Sequence, residues 1–117
     1  MSIIDQHFRR AKEVALKGDT KEANRRYRLG AVGVRTDGAI VTANNIPIRS
    51  PNPDAHAEAR LCRKLNWGST IYVVRILRDG LMGLARPCRD CQATMRLRGV
   101  KRCYYSIDNN EYGVLVF

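Results

Sequence analysis

Between Ile3 and about Lys17, the apolar residues Ile4, Phe8, Ala11 and Ala15 recur at helical spacing in an otherwise polar segment. The spacing predicts an amphipathic helix, which Gly18-Asp19 ends. From Leu29 the pattern changes. LGAVGVRT and AIVTAN flank Asp37-Gly38, which predicts two strands joined by a tight hairpin turn. NNIPIRSPNPD holds three prolines within seven residues and reads as a loop. Asp54 is placed to cap a helix from Ala55 to about Leu65, closed by Asn66-Trp67-Gly68-Ser69.

TIYVVRI is dense in β-branched and aromatic residues and predicts a strand. LRDGLMGLAR reads as a loop or flap. Pro87 suits the first position of a helix running to about Arg98, with Gly99 just past its end. VKRCYYSI predicts a fourth strand, and EYGVLVF, after the turn DNN, a fifth. Strands interleaved with helices imply one sheet with helices packed on it. TIYVVRI and VKRCYYSI, joined through a helix, should run parallel. The last connection is too short for a crossover, so the last strand should run antiparallel to its neighbour.

Composition adds bounds to this order of elements. The 117 residues suffice for one domain, 1–117, and are too few for two. At 44% apolar they can form one core without disulfides. No stretch approaches the roughly 20 apolar residues that span a bilayer. The first segment mixes acids and bases and does not read as a signal peptide. Four cysteines without such a signal predict a reducing, cytoplasmic compartment, where CxxC means metal or redox chemistry more often than a structural bridge. Twenty-one Lys and Arg against eleven Asp and Glu leave a net charge of +10, a field that attracts polyanions.

The chemistry concentrates in two short stretches, PDAHAEARLC and ARPCRDCQ. Cys88 and Cys91 stand three apart at the start of one expected helix, so both thiols can reach one ion. His56 lies at the start of another. One His and two Cys leave tetrahedral Zn²⁺ one open position, the mark of a catalytic rather than a closed structural site. Water there ionises near neutral pH. Helix N-termini directed at the ion help keep thiolates ionised. Glu58, two residues after His56, can carry that water's proton without binding zinc. A closed Cys₃His site would instead recruit Cys62 or Cys103. As buried thiols these two need no function. His7, on the first helix, stands apart from this constellation and reads as a packing or solvated residue.

HAE followed by PCxxC, in this order of strands and helices, resembles the zinc-dependent cytidine and deoxycytidylate deaminase superfamily, whose signature is H-x-E with P-C-x-x-C. The resemblance covers nearly the whole chain. It implies a three-layer α/β/α fold around a five-stranded mixed sheet with the last strand antiparallel. It implies zinc held by His56, Cys88 and Cys91, with Glu58 as proton shuttle. It also implies that Asn45 contacts the substrate's sugar or base, and that the Ala57 backbone N–H meets the base carbonyl. The stretch NIPIRSPNPDAHAE is similar to the one before HAE in tRNA adenosine deaminases. Two features depart, one from the family's usual pattern and one from that branch. Arg86 stands where the family usually has Ser, Glu or Thr, and could hold a substrate phosphate. The expected C-terminal hairpin resembles the free-cytidine branch and the bacterial toxin branch, and RPCRDC with CYYSIDNN resembles short phage and environmental deaminases.

The expected reaction is hydrolytic deamination of cytosine to uracil. The charge favours a polynucleotide substrate, single-stranded DNA before RNA, or a duplex if the base is flipped out. Arg49, Arg78, Arg89 and Arg96 would then contact phosphates. Trp67, Tyr72, Tyr104 or Tyr105 could stack a base. The alternative is a free cytidine-type nucleoside or nucleotide, with Arg86 on a single phosphate. An adenine or guanine deaminase and a non-catalytic basic zinc module are the remaining readings.

Overall fold

The computed structural model describes residues 2–17, 28–44 and 57–117. Helix α1 (Ile3–Lys17) leads into strands β1 (Arg28–Val34) and β2 (Ile40–Asn44). Helix α2 (Ala57–Cys62) then precedes β3 (Thr70–Ile76) and the short β4 (Met82–Gly83). Helix α3 (Arg89–Leu97), β5 (Arg102–Ser106) and β6 (Tyr112–Val116) complete the order. The sheet runs β2-β1-β3-β5-β6, with β4 paired to β3 off this path. Among the described residues, β3 and β5 are the one adjacent pair that runs parallel. The mixed sheet and the antiparallel last strand match the expectation, with one extra short strand.

That strand corrects the reading of LRDGLMGLAR as a loop or flap. Leu77 and Leu81 close a hairpin at 2.8 Å, with Gly80 at φ +86° in its turn. Asp79 Oδ1 accepts from the Leu81 N–H. This is the same Asp-Gly device that turns β1 into β2, where Gly38 has φ +88°.

The sheet is buried on both faces, and its period of two sorts the side chains. Ala31, Ala43, Ile71, Val73, Cys103 and Tyr105 pack with Ala57, Leu61 and Cys62 of α2 and Met95 of α3. Val32, Tyr72, Val74 and Ile76 point the other way, onto Phe8, Ala11 and Ala15 of α1. The result is three layers, with α1 the one described helix on its side. Helix α1 lies close because β1 has Gly30 beneath it. An added Cβ there would overlap the Ala11 carbonyl oxygen.

Two helix boundaries differ from expectation. Helix α2 stops at Cys62, because Lys64 and Leu65 donate to Leu61 and Cys62 in i→i+3 bonds that tighten its last turn. Arg35 Nη1 also donates to the Lys64 carbonyl, at 3.0 Å. Its expected start at Ala55, its cap Asp54, the proline loop and the Gly18-Asp19 break lie outside the described residues. Helix α3 begins at Arg89 rather than Pro87. Cys88 is extended, with ψ 169°, and acts as the N-cap. Gly99, at φ +73°, follows α3 in the left-handed position expected of it.

Candidate active site

Strand β2 runs into α2, and β3 with its hairpin runs into α3. Register makes β2 and β3 parallel, since each is antiparallel to β1. Both helices therefore begin at the same edge of the sheet, on the same face. This brings the start of α2, with Ala57 and Glu58, to the sheet edge where Cys88 and Cys91 begin α3.

Glu58 is buried, at 3% exposure. Its carboxylate is felt by three thiols. Burial first, then the Glu58 charge, pushes the Cys91 thiol far up. Cys103 is pushed up by the same two causes in the same order. Burial pushes Cys62 up to about 11, with the Arg98 charge opposing and the Glu58 charge adding to the rise. Cys88, by contrast, is exposed. Its sulfur accepts from the Cys91 N–H at 3.5 Å, which sets the two thiols on one turn.

Thiols beside a buried carboxylate resist ionisation. A divalent cation reverses that local logic, because coordination removes the thiol proton outright. The donor set fits Zn²⁺ in this respect: two thiols on one helical turn, with a buried carboxylate close enough to shift one of them. Among the described residues no three His, Cys, Asp or Glu form a metal-holding group. The third expected ligand, His56, lies outside the described residues, as do Asn45 and Arg49. All four cysteines are free of disulfides.

Arg86, just before Pro87-Cys88, is exposed at the same edge. Its Nη1 donates to Tyr105 Oη at 3.4 Å, and its guanidinium carbon lies 5.9 Å from the ring centre. Tyr105 sits on the site's face of the sheet against Gly113, where an added Cβ would meet its ring.

The other expected contacts scatter. Arg78 stands exposed on the β3–β4 turn, and Arg89 in the first turn of α3. Arg96 lies farther along α3, its guanidinium carbon 5.4 Å from the Phe117 ring centre. Trp67 is 77% exposed but covers Gly99, at the opposite end of α3 from the thiols. Tyr72 and Tyr104 stack at 4.9 Å on the other face of the sheet, with Phe8 and His7 against Tyr72. The structure does not bring Trp67, Tyr72 or Tyr104 to the site.

One residue was missed. Arg60 of α2 donates to the Asn44 main-chain oxygen at 2.6 Å and to its side-chain oxygen at 3.3 Å. Asn44 Nδ2 in turn reaches the Val14 carbonyl of α1 at 3.5 Å. Arg60 thus ties the helix carrying Glu58 to the residue before Asn45. The available signal was its place two residues after Glu58, which puts it on a different side of the helix.

Residues 1–107 match the family model of the cytidine and deoxycytidylate deaminase zinc-binding region. The chain belongs to this family. The model describes the zinc-binding part of these deaminases, so zinc is the family's cofactor. Two solved structures share the fold. Cytidine deaminase from Burkholderia pseudomallei superposes with a TM-score of 0.71 at 21% identity, covering 99% of this chain and 93% of that one. The dCMP deaminase from cyanophage S-TIM5, in apo form, gives 0.61 at 23% identity, covering 92% and 86%. No curated protein matches the sequence. Among the described residues no helix is long and apolar enough to cross a membrane.

Proposed function

We propose that this protein deaminates cytosine to uracil in a free nucleotide, with Arg86 holding the phosphate. The observation that carries the reading is Arg86 itself, an exposed guanidinium two residues before Cys88 and leaning on Tyr105. Arginine in such a place can grip a phosphate through two N–H donors. The two solved structures of like fold are named for cytidine and for dCMP, which supports a free substrate.

His56, Cys88 and Cys91 would hold the zinc. When bound, zinc makes a water nucleophilic near neutral pH. Glu58 takes a proton from the attacking water as its oxygen bonds to C4 of the base. The same carboxyl gives that proton to N3, then takes the remaining proton from the new C4 hydroxyl and passes it to the leaving amine. Ammonia departs and a carbonyl replaces the C–N bond, so cytosine and water become uracil and ammonia. Burial of Glu58 suits this role, since it shields the proton in transit from bulk water. The Ala57 N–H, at the start of α2, would meet the base carbonyl, and Asn45 would hold the sugar.

The +10 charge supports a second reading, cytosine in single-stranded DNA, with Arg78 and Arg89 adding phosphate contacts at the same edge. The two readings separate in one assay. Zinc-loaded protein, Glu58→Gln and Arg86→Met are given cytidine, deoxycytidine, dCMP and a cytosine-containing oligonucleotide, at low and high salt. The nucleotide reading expects dCMP to turn over fastest, a KM for dCMP raised roughly tenfold by Arg86→Met, and no turnover with Glu58→Gln. Faster turnover of the oligonucleotide, falling steeply with salt, would replace it with the polymer reading.

A further inference from the structure

The sheet ends in two edge strands, and the protein treats them differently. At β2 the Arg35 N–H bonds the Ala39 oxygen. In the β1–β2 register this turns the main-chain groups of Ile40, Thr42 and Asn44 outward. Two of those outward carbonyls are covered by cations, one from α2 and one from the turn that follows it. Lys64 Nζ reaches the Thr42 oxygen at 2.7 Å, and Arg60 Nη1 reaches the Asn44 oxygen at 2.6 Å. Charged side chains laid over an edge are a standard way to keep it from pairing with another chain.

Among the described residues strand β6 has no such guard. The Phe117 N–H bonds the Lys101 oxygen, and the Ile107 N–H bonds the Glu111 oxygen. Odd-numbered residues therefore face β5, and the main-chain groups of Tyr112, Val114 and Val116 face outward. Among the described residues no side chain hydrogen-bonds to any of these three. The strand, YGVLV, has no charge and no proline. The side chains of Tyr112, Val114 and Val116 share one face and are 46%, 41% and 72% exposed.

We propose that β6 pairs with β6 of a second copy of this chain, antiparallel and centred on Val114. In that register Val114 meets its own counterpart, and Tyr112 meets Val116 of the partner. All the outward N–H and C=O groups of the three residues are then used, because opposed residues at this edge form hydrogen-bonded pairs. The exposed apolar side chains of the two copies adjoin on one face of a sheet continuous through both molecules.

Charge chooses this register and direction. Glu111 stands just before β6 and comes opposite Phe117 of the second copy. Phe117 is paired with Lys101 and lies under the Arg96 guanidinium. Each end of the seam thus sets one carboxylate beside a cationic corner, twice over by symmetry. A parallel arrangement would put Glu111 against Glu111 and the two basic corners together.

The test is sedimentation over a concentration range, with amide exchange followed by NMR. Wild type should shift from 13.3 kDa to twice that mass as concentration rises. The amides of Tyr112, Val114 and Val116 should slow by roughly tenfold over the same range. Val114→Lys puts two ammonium groups at the centre of the seam and should keep the protein monomeric with an unchanged circular dichroism spectrum. Val114→Thr keeps strand propensity and should still associate. Glu111→Lys should weaken association, and adding Arg96→Glu should restore part of it. A wild type that stays monomeric at millimolar concentration overturns the proposal. So does an association that leaves the three amides fast, or one that Val114→Lys does not touch.

Discussion

The guanidinium of Arg60 stands 2.6 Å from the main-chain oxygen of Asn44, across sixteen positions of sequence. The bond joins the helix that carries Glu58 to the end of β2, where the chain enters the segment expected to bind substrate. A charge-assisted bond of this kind contributes about 1.5–3 kcal/mol. Arg60→Met should lower stability by that order. It should also raise KM for the substrate by roughly tenfold, because a small misplacement at a distance is enough to weaken binding. Arg60→Lys should recover part of both. Chemical denaturation and steady-state kinetics measure the two effects; a loss of stability with KM unmoved would reduce Arg60 to a packing residue.

Gly30→Ala should be among the most damaging single-methyl changes. The new Cβ would overlap main-chain atoms of α1 at Ala11 and Ala15, which a rotamer change cannot relieve. Overpacking of this kind costs about 1–3 kcal/mol. The midpoint of urea unfolding should fall accordingly. An unchanged midpoint would mean that α1 rides higher over β1 than the structure shows.

The thiols should separate by reactivity. Cys88 is exposed, whereas Cys62 is buried with its thiol pushed up to about 11, and Cys103 is pushed well above the ordinary range. After zinc is stripped with a chelator, an alkylating reagent near pH 8 should modify Cys88 first and leave Cys62 and Cys103 untouched until the protein unfolds. Restored zinc should protect Cys88. Timed labelling with peptide mass analysis reads all four sites, and early modification of Cys62 would contradict the packing of α2.

His7 gives stability a dependence on pH. Burial, and then the Arg10 charge, lower its folded value below the ordinary 6.5. Its ring lies 4.6 Å from that of Tyr72. The folded form therefore favours neutral imidazole, and the unfolded chain takes up the proton first as pH falls. The contribution is fully present above 6.5 and is lost as pH drops from there through the folded value. His7→Phe should flatten that part of the stability profile between pH 7 and 5. An equally steep profile in the variant would move the effect to another group.

Much of the fold was legible along the chain. The α1 stripe, the β1–β2 hairpin, the parallel β3 and β5 and the antiparallel β6 all lie where local pattern put them. The β3–β4 hairpin was passed over although Asp79-Gly80 repeats the signal of Asp37-Gly38. Its second strand is only two residues long, too short to show an alternation. The late start of α3 was hidden as well. Pro87 is a good opening residue, but the Cys88 sulfur takes the capping bond and moves the start past it.

The aromatics show the other limit. Tyr104 and Tyr105 are neighbours in sequence, yet a strand sends them to opposite faces. Tyr105 goes to the site with Arg86, and Tyr104 goes beneath α1. The pleat told that they must part; it did not tell which face held the site.

The sequence by itself determined the elements, their order, and the residue types of the expected metal and proton chemistry, because helical and strand periodicity and ligand spacing are local properties of the chain. The tertiary structure decided that Arg60 would hold Asn44, that Lys64 would cover β2 while no described side chain guards β6, and that Trp67 would sit at the far end from the thiols. Each of these depends on which distant segments the sheet order brings together, and no local pattern encodes a contact between positions the fold has yet to join.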